Sequence, residues 1–342
     1  MQFNNNKLDD PLSGPELPLW SIKTGVHHHS PTQDNIPDGA WLMKYVILTQ
    51  EERRLLPANA QMKAGVAVGD MLQQYYADTI WKLNPITKKL MPYANALQYA
   101  DKQQLINDNL DKFRKYEPVD DKDREKFEKY QQEIIEIITN GFSALEEIGA
   151  ANLGPITCEE QISIGQEKTK LNIPVVGRTD FTFGGVSADD GSQQSFPSLI
   201  LELKTTYSKL GKIKKNGERS FISLSTPAAP SFSHLKQCAF YAAKYDFKVP
   251  IKLLYVNKSG YKYFDSSNCN DLTQEGLEKN FKIMLSTFRR REKILGQFEN
   301  KDAHNIIKSA IEMIDPNFDH PFAWHNFGEE HLQRAKQLWN FT

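Results

Sequence analysis

Cysteine is scarce in this chain: Cys158, Cys238 and Cys269 are three in number and far apart. An odd set at such spacings forms neither a disulfide framework nor a zinc pattern, and a cubane iron–sulfur cluster wants four thiolates. No iron–sulfur cluster is expected. Long apolar runs are missing too, and no stretch approaches the roughly 18 residues a membrane span requires. The opening MQFNNNKLDDPLSG lacks the apolar segment of a secretory signal, so a cytoplasmic protein without membrane contact is expected. An excess of one charge is absent as well. A net charge of −1 gives no global attraction for a polyanion, so any such surface must be local. No internal repeat is present. What remains is 342 residues, 39% apolar and 25% charged, enough for one large or two small domains around a real core.

Residues 1–39, rich in Asn, Pro, Asp and Gly, read as a loosely structured lead-in. The rest, 40–342, reads as one domain with a helical region 40–150, a core 151–265 and C-terminal helices 266–342. A helix is predicted over about 58–82, although Gly65 and Gly69 each cost it roughly 1 kcal/mol against Ala. That suggests close approach by another backbone or a ligand. A second helix, 121–148, sets Phe127, Tyr130, Ile134, Ile137 and Ile138 on one face. The period then changes: 155–164, 174–183, 198–206, 250–257 and 260–265 read as strands, interrupted by a helix at 231–245. Helices at 273–297, 301–314 and 328–339 close the chain. This order predicts an α/β fold with a central mixed β-sheet flanked by helices, not a doubly wound βαβ fold. The Lys/Gly-rich stretch 207–220 reads as a loop or hairpin.

Side chains alternate along a strand, so in SLILELKTT Leu199, Leu201 and Leu203 face one way and Ile200, Glu202 and Lys204 the other. The leucines can enter a core. Glu202 and Lys204 are left together among apolar neighbours and need a partner, for which a divalent cation is suited. Asp180, near the end of the preceding strand, supplies a second carboxylate. Two carboxylates with waters and a substrate phosphate are the usual way Mg²⁺ is held. Lys204 would then orient or deprotonate a water, or stabilise charge on phosphoryl oxygens. The tripeptide alone is unspecific: Asp120/Lys122, Asp246/Lys248 and Glu299/Lys301 share its spacing. Only the copy at Glu202 lies in an apolar strand behind another acid-bearing strand.

Taken in order, Gly177 and Asp180, Glu202 and Lys204, then Gln237 and Tyr241 match G-x-x-D, E-x-K and Q-x-x-x-Y. This series resembles the PD-(D/E)XK nuclease superfamily, most of all its RecB-like branch with single-strand exonucleases of the mitochondrial type, over about residues 60–265. The resemblance implies a restriction-endonuclease-like core and Mg²⁺ or Mn²⁺ at Asp180, Glu202 and Leu203. It further implies Lys204 as the catalytic lysine, with Gln237 and Tyr241 lining the site. DNA contacts are expected at Gln73, Arg178 and Thr205; His234, on the helix face of Gln237 and Tyr241, is a candidate phosphate contact, with packing at the helix entry the favoured account. Two departures stand out. Thr179 replaces the proline before the first acid, and in the upstream helix Gly69 stands where a histidine ligand is usual and Gln73 where a glutamate often is. Asp70 is one position along but about 100° round the helix.

Beyond the motif, Lys209, Lys212, Lys214, Lys215 and Arg219, against only Glu218, form a local basic patch suited to phosphate contacts, with a solubilising hairpin tip as the bland alternative. For Arg289, Arg290, Arg291 and Lys293 the solvated-face reading is favoured. His27, His28 and His29 have no carboxylate cluster beside them, and core packing is the favoured account of Tyr75, Tyr76 and Trp81. The expected function is a metal-dependent DNA nuclease, acting as an exonuclease on single strands or ends in recombination, repair or replication. The alternatives are a flap or junction endonuclease, and a nucleic-acid-binding module with a degenerate site.

Overall fold

A computed structural model describes residues 17–87, 89–97, 101–184, 196–215, 218–320, 323–325 and 327–341. Its strands are β1 (Thr79–Leu83), β2 (Leu90–Ala94), β3 (Ile156–Cys158), β4 (Gln161–Ile164), β5 (Val175–Arg178), β6 (Phe181–Phe183), β7 (Leu199–Thr205), β8 (Lys209–Ile213), β9 (Arg219–Ile222), β10 (Ile251–Asn257) and β11 (Gly260–Phe264). Seven of them form one mixed sheet in the order β11-β10-β7-β6-β3-β1-β2. The β7–β10 and β1–β3 pairs are parallel and the other neighbours antiparallel. β4 pairs with β5, and β8 with β9, as separate antiparallel ladders.

Helices α1 (Leu19–Thr24), α2 (Asp38–Leu42) and α3 (Gln50–Leu55) precede α4 (Ala60–Tyr76), α5 (Lys102–Arg114) and α6 (Asp121–Ile148). A short α7 (Gln166–Thr169) joins β4 to β5, and α8 (Phe232–Lys244) joins the β8–β9 hairpin to β10. α9 (Gln274–Gly296), α10 (Ala303–Met313) and α11 (Glu329–Leu338) follow. Local chemistry sets the ends. Asp120 caps α6 by accepting from the Asp123 N–H, two aspartates occupy its first turn, and Gly149 stops it at φ 73°. Ser231 caps α8 the same way.

The alternation in β7 decides the layering. Leu199 and Leu201 join Phe181, Phe183, Leu254 and Val256 under α4 and α6, while Ile200 joins Leu253 and Tyr255 under α8 and α9. α4 and α6 lie so close that a Cβ at Gly141 would stand 2.8 Å from Leu72. No helix among the described residues is long and apolar enough to cross a membrane.

Several expectations need correction. The helix expected over 58–82 ends at Tyr76, and Trp81 lies in β1. The turn is fixed by Asp78, which accepts from the Ile156 N–H with its side chain and donates to the Ile156 carbonyl with its backbone, so the chain joins β3 instead of continuing the helix. The strands expected at 155–164 and 174–183 are each broken in two. The first break carries Glu159 at φ 57°, a left-handed conformation uncommon for a side chain of this kind.

Of the lead-in, residues 1–16 lie outside the described part, and residues 17–39 are firmly built in. Trp20 is buried, and His29 bridges to Val175. His29 also stacks on Phe288 at 4.4 Å and meets Glu292 at 3.2 Å. Asp34 pairs with Lys236 on α8. Of the charges on α9, Arg289, Arg290 and Lys293 are exposed as expected, but Arg291 is not: it is buried, donates to Asp38 and to the carbonyls of Gln33 and Ile36, and lies over the Trp41 ring. A polar lead-in is ordered because a buried guanidinium satisfies its carbonyls.

Candidate functional site

The β6–β7 register pairs Phe181 with Leu201 and Thr182 with Ile200. One step further sets Asp180 opposite Glu202, and opposed residues of an antiparallel pair share a face. Asp180 Oδ2 accepts the Leu203 N–H at 2.7 Å, which holds its carboxylate against β7. Glu202 is 1% exposed. Its Oε1 accepts from Lys204 Nζ, while its Oε2 is buried without a hydrogen-bond partner. Lys204 Nζ donates also to Gln237 Oε1 at 3.1 Å, Gln237 Nε2 to the Tyr241 hydroxyl at 2.7 Å, and that hydroxyl to the Arg178 carbonyl at 2.5 Å. Asp180, Glu202, Lys204, Gln237 and Tyr241 are thus brought together by two strands and one helix.

Electrostatics follow from burial. Desolvation first, and then the neighbouring Glu202 charge, hold the Asp180 carboxyl well above its ordinary range. Desolvation pulls Lys204 down, but the Glu202 and Asp180 carboxylates outweigh it and keep the ammonium above its usual value. Lys204 is therefore a charged donor. Burial, and then the Glu202 and Asp180 charges, push the Tyr241 phenol well up, so its hydroxyl remains a donor. His234 Nδ1 lies 2.7 Å from the Tyr255 hydroxyl, and desolvation, then Lys204, push its imidazole down to about 4. What His234 offers a phosphate at neutral pH is a hydrogen bond, not a charge.

The α4 helix borders this cluster with one stripe, Gly65, Gly69 and Gln73, spaced four apart. A Cβ at Gly65 would meet Thr205 Oγ1 at 3.2 Å, and Gln73 Nε2 reaches the Asp180 carbonyl at 3.3 Å. Between them a Cβ at Gly69 would meet nothing within 4 Å. The missing side chain leaves open space on the stripe that borders the cluster.

Sequence reasoning missed Glu159. It accepts from Gln73 Nε2 at 3.1 Å, lies 3.9 Å from the Arg178 guanidinium, and adds its charge to those around Asp180 and Asp70. Desolvation first and Glu159 next raise the Asp70 carboxyl, though Asp70 still touches solvent. The left-handed backbone at Glu159 is the feature that marks it, and no motif does.

Other expected residues stand apart. Lys209, Lys212, Lys214 and Lys215 are exposed on the β8–β9 hairpin, which is anchored to α6 by the Arg219–Glu125 pair and does not enter the network. Tyr75 and Tyr76 pack on Phe142.

The donor set fits a hard divalent cation. An unpartnered buried carboxylate oxygen and two carboxylates that repel one another both call for positive charge. No group of three or more His, Cys, Asp or Glu is assembled for a metal among the described residues, so waters would complete the shell.

Tyr241→Phe removes one buried hydroxyl that satisfies two part-buried groups, the Arg178 carbonyl and the Gln237 amide. A loss of about 1–3 kcal/mol in urea unfolding is expected. Comparison of the chain with protein-family profiles, curated proteins and solved structures finds no match.

Proposed function

We propose that this chain is a metal-dependent DNA nuclease with a restriction-endonuclease-like core of the RecB-like kind, acting as an exonuclease on single-stranded DNA or DNA ends. The observation that carries this reading is the buried, unpartnered Oε2 of Glu202 beside Asp180, with the Lys204 ammonium on the other oxygen. Asp180 and Glu202, with the Leu203 backbone between the β7 donors, would hold Mg²⁺ or Mn²⁺. When bound, such an ion polarises the scissile phosphate and lowers the pKa of a water.

The chain's own residues do the rest. Lys204 would orient or deprotonate the attacking water, or stabilise charge on the phosphoryl oxygens. Gln237 fixes the Lys204 head, and Tyr241 ties Gln237 to the backbone two residues before Asp180. Such positioning is the main protein contribution to phosphoryl transfer. Gln73, Arg178, Thr205 and His234 lie on the elements around this cluster and are suited to hold the strand. The hairpin lysines add salt-sensitive phosphate contacts without reading sequence.

The gap at Gly69 gives a direct check. Gly69→Leu removes a helix-destabilising glycine at a position with room for a Cβ, so the folded state should gain up to about 1 kcal/mol. Filling the gap should nevertheless lower cleavage about 10²-fold by displacing the strand. Equal cleavage by Gly69→Leu would remove the gap from the site.

The reading itself is tested with end-labelled single-stranded DNA, linear or covalently closed, in Mg²⁺, Mn²⁺ or EDTA. Cleavage of the linear strand in either ion, none in EDTA and slower loss of the circle are expected. Equal loss of the circle would point to an endonuclease, and branched substrates would then identify a flap or junction preference. No cleavage of any substrate in either ion would leave only a binding module.

A further inference from the structure

A cavity of about 1820 Å³ lies among α1, the segment after it, α3, α10 and the end of α11. Asp180, Glu202 and Lys204 do not line it. Its charged lining is one-sided: Lys23, Arg53, Arg54, Lys308 and Arg334 against Glu312 and Asp315, with three histidines besides. In a chain with 42 basic and 43 acidic residues this is a local excess of positive charge.

Three of the five cations are held in place. Lys23 donates to the carbonyls of Glu299 and Lys301, Arg53 to that of Tyr45, and Arg334 to Glu52. Arg54 and Lys308 are exposed and have no ion-pair partner among the described residues. Between the cations the wall is apolar and aromatic, with Val46, Ile307, Ile311, Tyr45 and Trp339. The Trp339 ring is anchored by its Nε1, which donates to the Ile314 carbonyl at 2.8 Å. A small-molecule pocket spans roughly 300–1,000 Å³, so this space suits a polymer segment.

Cations for a backbone, with an apolar and partly aromatic wall for bases, are the combination that holds single-stranded nucleic acid. We propose that this cavity is a second binding site for single-stranded nucleic acid, separate from the Asp180–Glu202 cluster. The segment between them touches both. His27 and His28 line the cavity, His29 bridges to β5 just ahead of Asp180, and Asp34 pairs with Lys236 next to Gln237. A strand held in the cavity is thereby kept on the molecule while its end is processed. This deepens the nuclease reading, and rests on it for the identity of the ligand.

The experiment is fluorescence anisotropy of a labelled oligo-dT 20-mer in EDTA, where no cleavage intervenes. Arg54→Glu with Lys308→Glu should weaken binding at least about tenfold. The same pair should flatten the log–log salt slope by about 1.4, since each phosphate left without its cation takes away about 0.7. The neutral pair Arg54→Gln with Lys308→Gln should show a smaller loss in the same direction. Lys115→Glu with Lys122→Glu, exposed positions outside the cavity, should stay within about twofold of the parent. Unchanged binding by both cavity pairs, or an equal loss in the outside pair, overturns the proposal. So does an acidic phosphopeptide that binds the parent chain where the oligonucleotide does not. Failure here with intact metal-dependent cleavage sinks only the second site; strand binding lost by the cavity pair, with no cleavage by the parent, sinks only the nuclease.

Discussion

Lys204→Met is expected to lower phosphodiester cleavage by about 10²- to 10³-fold while DNA stays bound. The methionine keeps an apolar stem of similar length and removes the charge that faces both Glu202 and Gln237. Stability should fall too. Glu202 is left fully buried with neither oxygen compensated, and breaking a buried ion pair from one side typically costs about 3–5 kcal/mol. Removing both charges, as Glu202→Gln with Lys204→Met, should restore most of that stability and none of the activity. Single-turnover cleavage, anisotropy in EDTA and urea unfolding together give the test. A Lys204→Met protein that cleaves at a parental rate would remove the lysine from the reaction and with it the proposed mechanism.

The part of this site that could be read in the sequence was the part encoded by strand alternation. Leu199, Leu201 and Leu203 against Ile200, Glu202 and Lys204 gave the two faces of β7, and the structure puts a different core on each. Helix spacing likewise placed Gln237 and Tyr241 together, and they do hydrogen-bond. What escaped was set by long-range contacts. β1 follows α4 with one intervening turn and is specified by its pairing with β3, so no local break announces it. Arg291 looked like one charge in a solvated run because its partners, Asp38 and the Gln33 and Ile36 carbonyls, are some 250 residues earlier in the chain. Glu159 could not be seen either. Its role depends on a left-handed backbone between two short strands, and Glu160 beside it has the same side chain. Gly69 was legible as a cost to a helix, but only the structure shows that its surroundings are open, between Gly65 and Gln73 on the stripe that borders the cluster.

Asp180→Asn should abolish cleavage and yet stabilise the metal-free protein, increasingly so as pH rises. The asparagine keeps an acceptor for the Leu203 N–H and removes a charge that desolvation and Glu202 disfavour. A carboxyl whose folded pKa lies above its unfolded value binds more protons folded than unfolded. Its stabilisation is therefore complete below the unfolded value and is lost as pH climbs through the raised one. In EDTA the parent chain should lose thermal stability over that interval, while Asp180→Asn lacks this component, so the gap between their melting temperatures widens with pH. Mg²⁺ or Mn²⁺ should reverse the order. An ion that binds only the folded state stabilises by about 2.7 kcal/mol at 100 times its Kd, and its hold strengthens as the acid ionises. The parent should gain this and the variant little of it. Thermal unfolding from pH 5 to 9, with and without Mn²⁺, makes the comparison without any cleavage assay. Parallel curves in EDTA would mean that Asp180 carries no strained charge, and equal gains with Mn²⁺ would place the ion elsewhere on the molecule.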